Sequence, residues 1–344
     1  MKSVIVIVFF LFTASLCAQV ISGKVVNDKK EPLAGVNVYF DGTTIGAVTD
    51  RLGTFTISQF VQSSSILVVS CLGYQSLYLS GINFSKDLNI TLLPQVVALD
   101  EVQVKSDGFT RKQKMKLFKE QFLGTSSMSK KIVIQNEDDL RLRYNKQTKT
   151  LEAFAYQPLV IFNYDLGYKI TYELVKFEAK FSKLSISSKD VTKSYYSGLS
   201  LFENNIVTPA IIKKRLKVFQ GSQLQFFRNL AANSWGKDQF LLFKGSWQAD
   251  PNAHFKISDT LDFKKVVVTN QINGGANLPF FAAFNVLFKK DSQSKVTFKT
   301  STFFIDRFGN NSDTENIYFL VIWPSKKLVS CYRLILDCKT RFLH

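Results

Sequence analysis

The sequence predicts a mainly β protein, with an N-terminal β-sandwich followed by a larger β-rich α+β region containing about two helices. Apolar residues alternate with polar ones in short runs from Ile21 onward, the period of strands with one buried face. Gly, Asp, Asn and Pro separate these runs with turn chemistry. Two stretches, around Arg111–Phe122 and Ser222–Asn233, carry helical spacing instead. With 344 residues, 46% of them hydrophobic, there is material for more than one core, and two domains are expected.

The chain begins Met1-Lys2, continues with an apolar run from Val4 to Phe12, and reaches Ala14-Ser15-Leu16-Cys17-Ala18. This is the pattern of a secretory signal peptide over residues 1–18, cut after Ala18. A retained anchor is the alternative, but the run is shorter than the ~20 residues a spanning helix needs. Acylation at Cys17 is a second alternative, against which Leu16 stands where a small side chain is wanted. No later segment is apolar enough to span a membrane as a helix. Cys71, Cys331 and Cys338 remain after cleavage, an odd number that makes no disulfide framework. Cys331 and Cys338 would fall on opposite faces of one strand. Buried thiols are expected there, with a bridge across a bend left open.

Residues 19–95 form the expected sandwich domain. Its strands centre on Ile21 and Val25, on Val36, Val38 and Phe40, on Phe55 and Ile57, on Leu67, Val69 and Cys71, and on Leu88, Ile90 and Leu92. Asn37, Thr54, Thr56 and Asn89 are expected to face outward. Between them lie a polar loop, Asn27–Glu31, stiffened by Pro32, and a hairpin signal at Asp41-Gly42. A turn follows at Asp50-Arg51-Leu52-Gly53, where Asp50 can accept from amides ahead of it and Gly53 can adopt positive φ. Asp50 lacks the further oxygen ligands that calcium requires.

Gly23-Lys24-Val25-Val26, Pro32-Leu33-Ala34-Gly35-Val36, Thr49–Ile57 and Leu67–Tyr74 together resemble the carboxypeptidase-like regulatory domain. That is a small prealbumin-type sandwich of exported Bacteroidota proteins. The resemblance implies a folding, docking or interaction module without catalysis. Val97–Val104 resembles the segment after that domain in TonB-dependent receptors, but the remaining residues lack the regular ~10-residue alternation of a receptor barrel. Residues 96–110 are read as a linker.

Residues 111–344 form the expected β-rich second domain. Arg111–Phe122 reads as an amphipathic helix with Met115, Phe118 and Phe122 on one face and Gly124 as its stop. Its basic face suits an anionic membrane surface, though packing on the following domain is favoured. Strands are expected at Ile132–Ile134, Leu140–Tyr144, Leu151–Tyr156, Leu159–Phe162 and Tyr168–Phe181, with a hairpin loop at Asn145–Thr148. A helix over Ser222–Asn233 would be capped by Ser222 and would bury Leu224, Phe227, Leu230 and Ala231. Strands resume at Phe240–Phe243, Lys264–Val268 and Phe298–Ile305, with a turn at Phe308-Gly309-Asn310. Pro158–Ile161, Leu166–Leu174, Tyr196–Phe202, Phe226–Leu230 and Ile305–Asn310 resemble the region that accompanies the regulatory domain in Bacteroidota envelope proteins. That resemblance implies location and architecture, and the segment after Ile322-Trp323 departs from it.

The net charge of +17 is uneven: residues 19–104 hold 5 basic and 7 acidic side chains, residues 105–344 hold 38 and 20. For an exported chain this points to an envelope protein or an anionic glycan as partner, and not to nucleic acid. Lys213, Lys214, Arg215 and Lys217, the densest basic run, are the candidate anion-binding residues. The only histidines are His254, expected at the surface, and His344, so a nucleophile–histidine arrangement has one candidate base at most. No short-spaced zinc ligand set, phosphate loop or dinucleotide fingerprint occurs. Ser127-x-x-Lys130 and Ser292-x-x-Lys295 match an acyl-transfer spacing without companion motifs. Glu137-Asp138-Asp139 reads as a solvated turn. Trp235, Trp247 and Tyr195-Tyr196 could stack on sugars, though core positions are favoured. No catalytic, metal-binding or cofactor-binding residue is assigned. The expected role is binding or scaffolding in the periplasm or at the outer membrane. The alternatives are a hydrolase of polysaccharide or peptide using carboxylates in residues 111–344, and an accessory to a nutrient receptor.

Overall fold

The computed structural model describes residues 20–58, 66–79, 87–95, 107–124, 129–260, 263–269, 280–289, 292–306, 308–313 and 316–321. The signal peptide, Val97–Val104, Ser127, Cys331, Cys338, His344 and the segment after Ile322 lie outside them. The chain divides into two compact units, Met1–Val38 with Ile45–Val96, and Tyr39–Thr44 with Val97–His344.

The first unit holds β1 Ile21–Val26, the first half of β2 Asn37–Phe40, β3 Gly46–Val48, β4 Thr54–Ile57, β5 Leu67–Ser70, β6 Leu77–Leu79 and β7 Leu88–Thr91. They form a sandwich of two sheets, ordered β4-β1-β7 and β3-β2-β5-β6. β1 runs antiparallel to β4 and parallel to β7, so Gly23 lies between Phe55 and Leu88. A Cβ on Gly23 would come within 2.3 Å of the Leu88 carbonyl oxygen, which is why this strand interior carries a glycine. Thr54, Thr56 and Asn89 are exposed between buried neighbours, as their alternation requires. Elsewhere the alternation fails: Val38, Tyr39 and Phe40 are all buried, and so are all four residues of β5. β2 and β5 are the central strands of their sheet, and apolar side chains on both faces let them lose their solvent face. β3 and β6 close the edges of that sheet with three residues each, too short to leave a pattern in the sequence.

Asp50 organises its turn as the sequence anticipates. Its Oδ1 accepts from Leu52 N (2.8 Å) and Thr54 N (2.9 Å), and Gly53 sits at φ +73°. The same five-residue device recurs at Asp306: Oδ1 accepts from Phe308 N (2.8 Å) and Asn310 N (2.9 Å), with Gly309 at φ +89°. In both, the glycine N–H donates to the aspartate carbonyl at 3.0 Å. Asn27 plays a similar part, its Oδ1 accepting from Lys29 N and Glu31 N while Lys30 takes positive φ.

The second unit contains two cores. The first begins with α1, Arg111–Phe122, whose Thr110 and Gln113 form a reciprocal capping box and which ends at Leu123 and Gly124. Next come β8 Ile132–Ile134, β9 Leu140–Asn145, β10 Thr150–Ala155, β11 Leu159–Asn163, β12 Tyr168–Phe181 and β13 Val191–Asn204. They make a six-stranded antiparallel sheet in which β12 pairs with β13 along its length, and with β11 and then β10 on its other side. β8 and β9 lie beyond β11 and β10 as end strands. Leu117, Phe118 and Phe122 of α1 are buried against this sheet, with Phe118 4.7 Å from Phe177 and Phe122 5.0 Å from Tyr196, ring centre to ring centre. Segment Tyr39–Thr44 lies along β13, where Gly42 N donates to Ser200 O at 2.8 Å.

Two helices follow, the first packed on the first core through Val218 and Phe219 and the second on the second core. α2, Pro209–Phe219, starts at a Thr208 cap with proline in its first turn, and α3, Gln223–Ala231, starts where Ser222 Oγ accepts from Gln225 N. β14 Phe240–Lys244, β15 Trp247–Gln248, the four-residue α4 Pro251–His254, β16 Phe255–Thr260, β17 Phe263–Val268, β18 Ala282–Phe288, β19 Ser292–Phe298, β20 Thr302–Asp306 and β21 Ile317–Val321 complete the described chain. The sheets are β15-β14-β18-β19-β21 and β16-β17-β20. Phe226, Phe227 and Leu230 of α3 enter the phenylalanine-rich core these strands share. Among the described residues there are four α-helices, of which α1 and α3 are the two expected from the sequence. The expected strand Phe298–Ile305 is two strands in different sheets: the polar residues Lys299–Ser301 turn the chain, and Phe298 stacks on Phe303 at 5.7 Å across the break.

Candidate functional site

A groove of about 830 Å³ runs along α1. The helical repeat builds it: Lys112, Lys116, Lys119 and Glu120 recur at three- and four-residue intervals on the polar face, while Met115 and Leu123 border the core that takes Phe118. Lys130 and Ile132, entering β8, and Glu137 and Asp138, in the short turn of helix after it, form the other wall. Met115, Leu123 and Ile132 supply apolar surface.

The charges are only partly paired. Arg111 is spent on structure, donating from Nη1 to Leu140 O and from Nη2 to Glu137 O, both at 2.9 Å. Lys119 pairs with Glu137, and Glu120 accepts from Ser188 Oγ while lying 3.9 Å from Lys116. Lys112 and Lys130 are exposed on the rim, and Lys116 is 78% exposed. The groove thus presents a cationic rim on which Glu120 and Glu137 are already engaged by a hydroxyl and a lysine while Asp138 stands exposed, and lysines outnumber carboxylates, a surface for holding an anion.

Below the rim, Asp107 and Lys114 fix the entry to α1, their ion pair closing at 2.6 Å. Burial pushes the Asp107 carboxyl up, but hydrogen bonds from Lys114 and from the amides of Phe109 and Tyr144 outweigh it and hold the group below its ordinary value. Asp165 is held low in the same way. Its burial is outweighed by Lys214 at 2.6 Å and Lys131 at 3.1 Å.

The basic run singled out in the sequence does not converge on one point. Lys213 and Lys217 are exposed one turn apart on α2, and Lys214 is taken by Asp165. Arg215 is buried. Its Nε donates to Leu166 O (2.8 Å), Nη1 to Asn204 Oδ1 (3.0 Å) and Nη2 to Gly167 O (3.2 Å), and the guanidinium lies 3.6 Å from the centre of the Tyr168 ring. It works as a rivet between α2 and the β11–β12 turn.

His254, expected at the surface, is half-buried at the end of α4, its ring centre 5.0 Å from that of Phe284. Ser292 and Lys295 both lie within β19. Glu137–Asp139 is a turn of 3₁₀ helix on the groove wall. Of the aromatic candidates, Tyr196 is buried, Trp235 stacks on Phe255, and Trp247 is 83% exposed. Among the described residues no group of three His, Cys, Asp or Glu side chains could hold a metal ion. Sequence reading missed the groove because it favoured consecutive charges. The signal was the spaced set Lys112, Lys116 and Lys119, followed by Lys130.

Comparison with known proteins bears on the N-terminal part. Residues 21–104 match the family model of the CarboxypepD_reg-like domain. Over 95 residues the chain is 36% identical to the TonB-dependent receptor SusC of Bacteroides thetaiotaomicron, a stretch that is 28% of this chain and 9% of the receptor. The chain therefore spans under a tenth of the curated relative it matches. Two solved type II cohesin–X-dockerin complexes from Acetivibrio cellulolyticus, with an N-terminal and a C-terminal interface mutation, align at 24% identity. They cover 22% and 21% of this chain and 57% and 51% of their own, with TM-scores of 0.20 and 0.18.

Proposed function

We propose that this chain is an exported cell-envelope protein that binds an anionic partner without converting it. In this reading residues 19–95 serve as the docking domain, residues 96–110 as linker and residues 111–344 as the binding domain. The carboxypeptidase-like regulatory domain and its similarity to SusC support the envelope setting. The observation that carries the binding role is the α1 groove, with Lys112, Lys116 and Lys130 exposed above an apolar floor. A hydrolase would need a carboxyl group free to donate or take a proton. Glu120 and Glu137 are partnered, which leaves the exposed Asp138 without the second free carboxyl that a two-carboxylate hydrolysis uses, and this favours binding over that alternative.

Fractionating the source cells, treating intact cells with external protease and following the chain by antibody tests the reading. Recovery with the envelope is expected, and recovery with the cytosol would overturn it. Clipping from outside would favour an accessory to a nutrient receptor, whereas protection would favour a periplasmic scaffold.

A further inference from the structure

We propose that the open edge of β8, beside α1, takes up an extended acidic polypeptide segment as an added strand. The inference rests on the anion-binding reading above and specifies its ligand.

The strand itself supplies the first support. β8 ends the sheet, and among the described residues its only partner is β11. The phase of that pairing is fixed on both sides: Tyr164 N donates to Lys131 O at 3.2 Å, and Gln135 N donates to Val160 O at 2.8 Å. Lys131, Val133 and Gln135 thus turn their backbone groups toward β11. Ile132 and Ile134 turn theirs toward the open edge, which is a template for another strand.

What flanks the edge selects the sequence that would add there. On one face lies the groove, where Lys112, Lys116 and Lys130 stand above Met115, Leu123 and Ile132. On the other lies Val133, 46% exposed and paired in register with the half-buried Phe162. An added strand sends alternate side chains to the two faces. Carboxylates on the groove side would meet the rim lysines, and apolar side chains on the other would cover Val133. This matches an alternating acidic–apolar peptide docking by strand addition. A glycan has no run of amide donors and acceptors to match Ile132 and Ile134, and a flat membrane surface would not fill a groove.

A fluorescein-labelled (Glu-Val)5 decapeptide, titrated by anisotropy against the whole mature protein, tests this. Saturable binding is expected, weakened about tenfold by the paired exposed-site variant K112E/K130E and by added salt. Two N-methylated versions, blocking the amides of odd or of even residues, separate strand addition from simple charge attraction. One version should lose binding and the other keep it. Equal binding by both, or no effect of K112E/K130E, would overturn the proposal. Polygalacturonate binding with the same lysine dependence, while the peptide fails, would overturn strand addition and leave the anion-binding reading standing. Failure of both ligands would overturn both.

Discussion

Single residues carry more of this fold than their composition suggests. The Asp50 and Asp306 turns share the pattern Asp-Arg-x-Gly, and their glycines hold a backbone conformation that L side chains rarely adopt. Space separates otherwise similar glycines. Gly35, at φ +76°, has nothing within 4 Å of an added Cβ, whereas one on Gly53 would lie 2.4 Å from the Val25 carbonyl oxygen. Gly35→Ala is therefore expected to cost about 1 kcal/mol and Gly53→Ala clearly more, in urea unfolding of the whole chain. Arg215 gives a sharper case, since removing its side chain takes the donor from Leu166 O and Asn204 Oδ1 and bares the Tyr168 ring, although Gly167 O keeps the amides of Asn205 and Ile206. Arg215→Ala should destabilise by about 3 kcal/mol, while Lys213→Ala, at an exposed site, should stay within about 0.5 kcal/mol. Equal effects would mean that the buried guanidinium does not hold the β11–β12 turn.

At the scale of elements, α1 shows what a sequence discloses and what it withholds. Its span, its buried Phe118 and Phe122 and its stop at Gly124 were readable because each depends on neighbours within one or two turns. Strands β8 to β12 were readable for the same reason, their alternation being local. The groove was not. It needs Ile132 to arrive beside Leu123 from a strand whose place at the sheet edge is set by pairing with β11, a contact between distant parts of the chain. Arg215 was misjudged for a related cause, because a basic run looks solvated until the acceptors at Leu166, Gly167 and Asn204 are brought to it. The helix's two faces give a direct contrast. Phe118→Ala, which empties a ring-lined site, should cost about 3–5 kcal/mol, whereas Lys116→Ala on the rim should cost no more than about 0.5 kcal/mol. Chemical unfolding of both variants decides whether the helix is a core element or a loosely held surface feature.

Across the whole molecule, the positive charge is concentrated in one region. Residues 105–344 carry the whole of the positive excess, residues 19–104 being slightly acidic, and their carboxylates at Asp107 and Asp165 are held below the ordinary carboxylate value by lysines. A carboxyl lowered by folding binds protons more readily when unfolded, so protons favour the unfolded chain. The stability contributed is fully present above the unfolded value, about 3.9, and is lost as pH falls through the folded one. All three tryptophans, Trp235, Trp247 and Trp323, belong to the second region, so their fluorescence follows that region's unfolding. Asp165→Asn should lower the urea midpoint near neutral pH, because Lys131 and Lys214 lose their shared anion. Acidification below about pH 4 should then narrow the gap between variant and parent, since the parent's carboxyl becomes neutral as well. High salt should narrow it at neutral pH, because both lysines are substantially exposed. A gap that stays constant with pH and salt would show that the carboxylate acts by packing alone, and would remove Asp165 as a source of acid sensitivity.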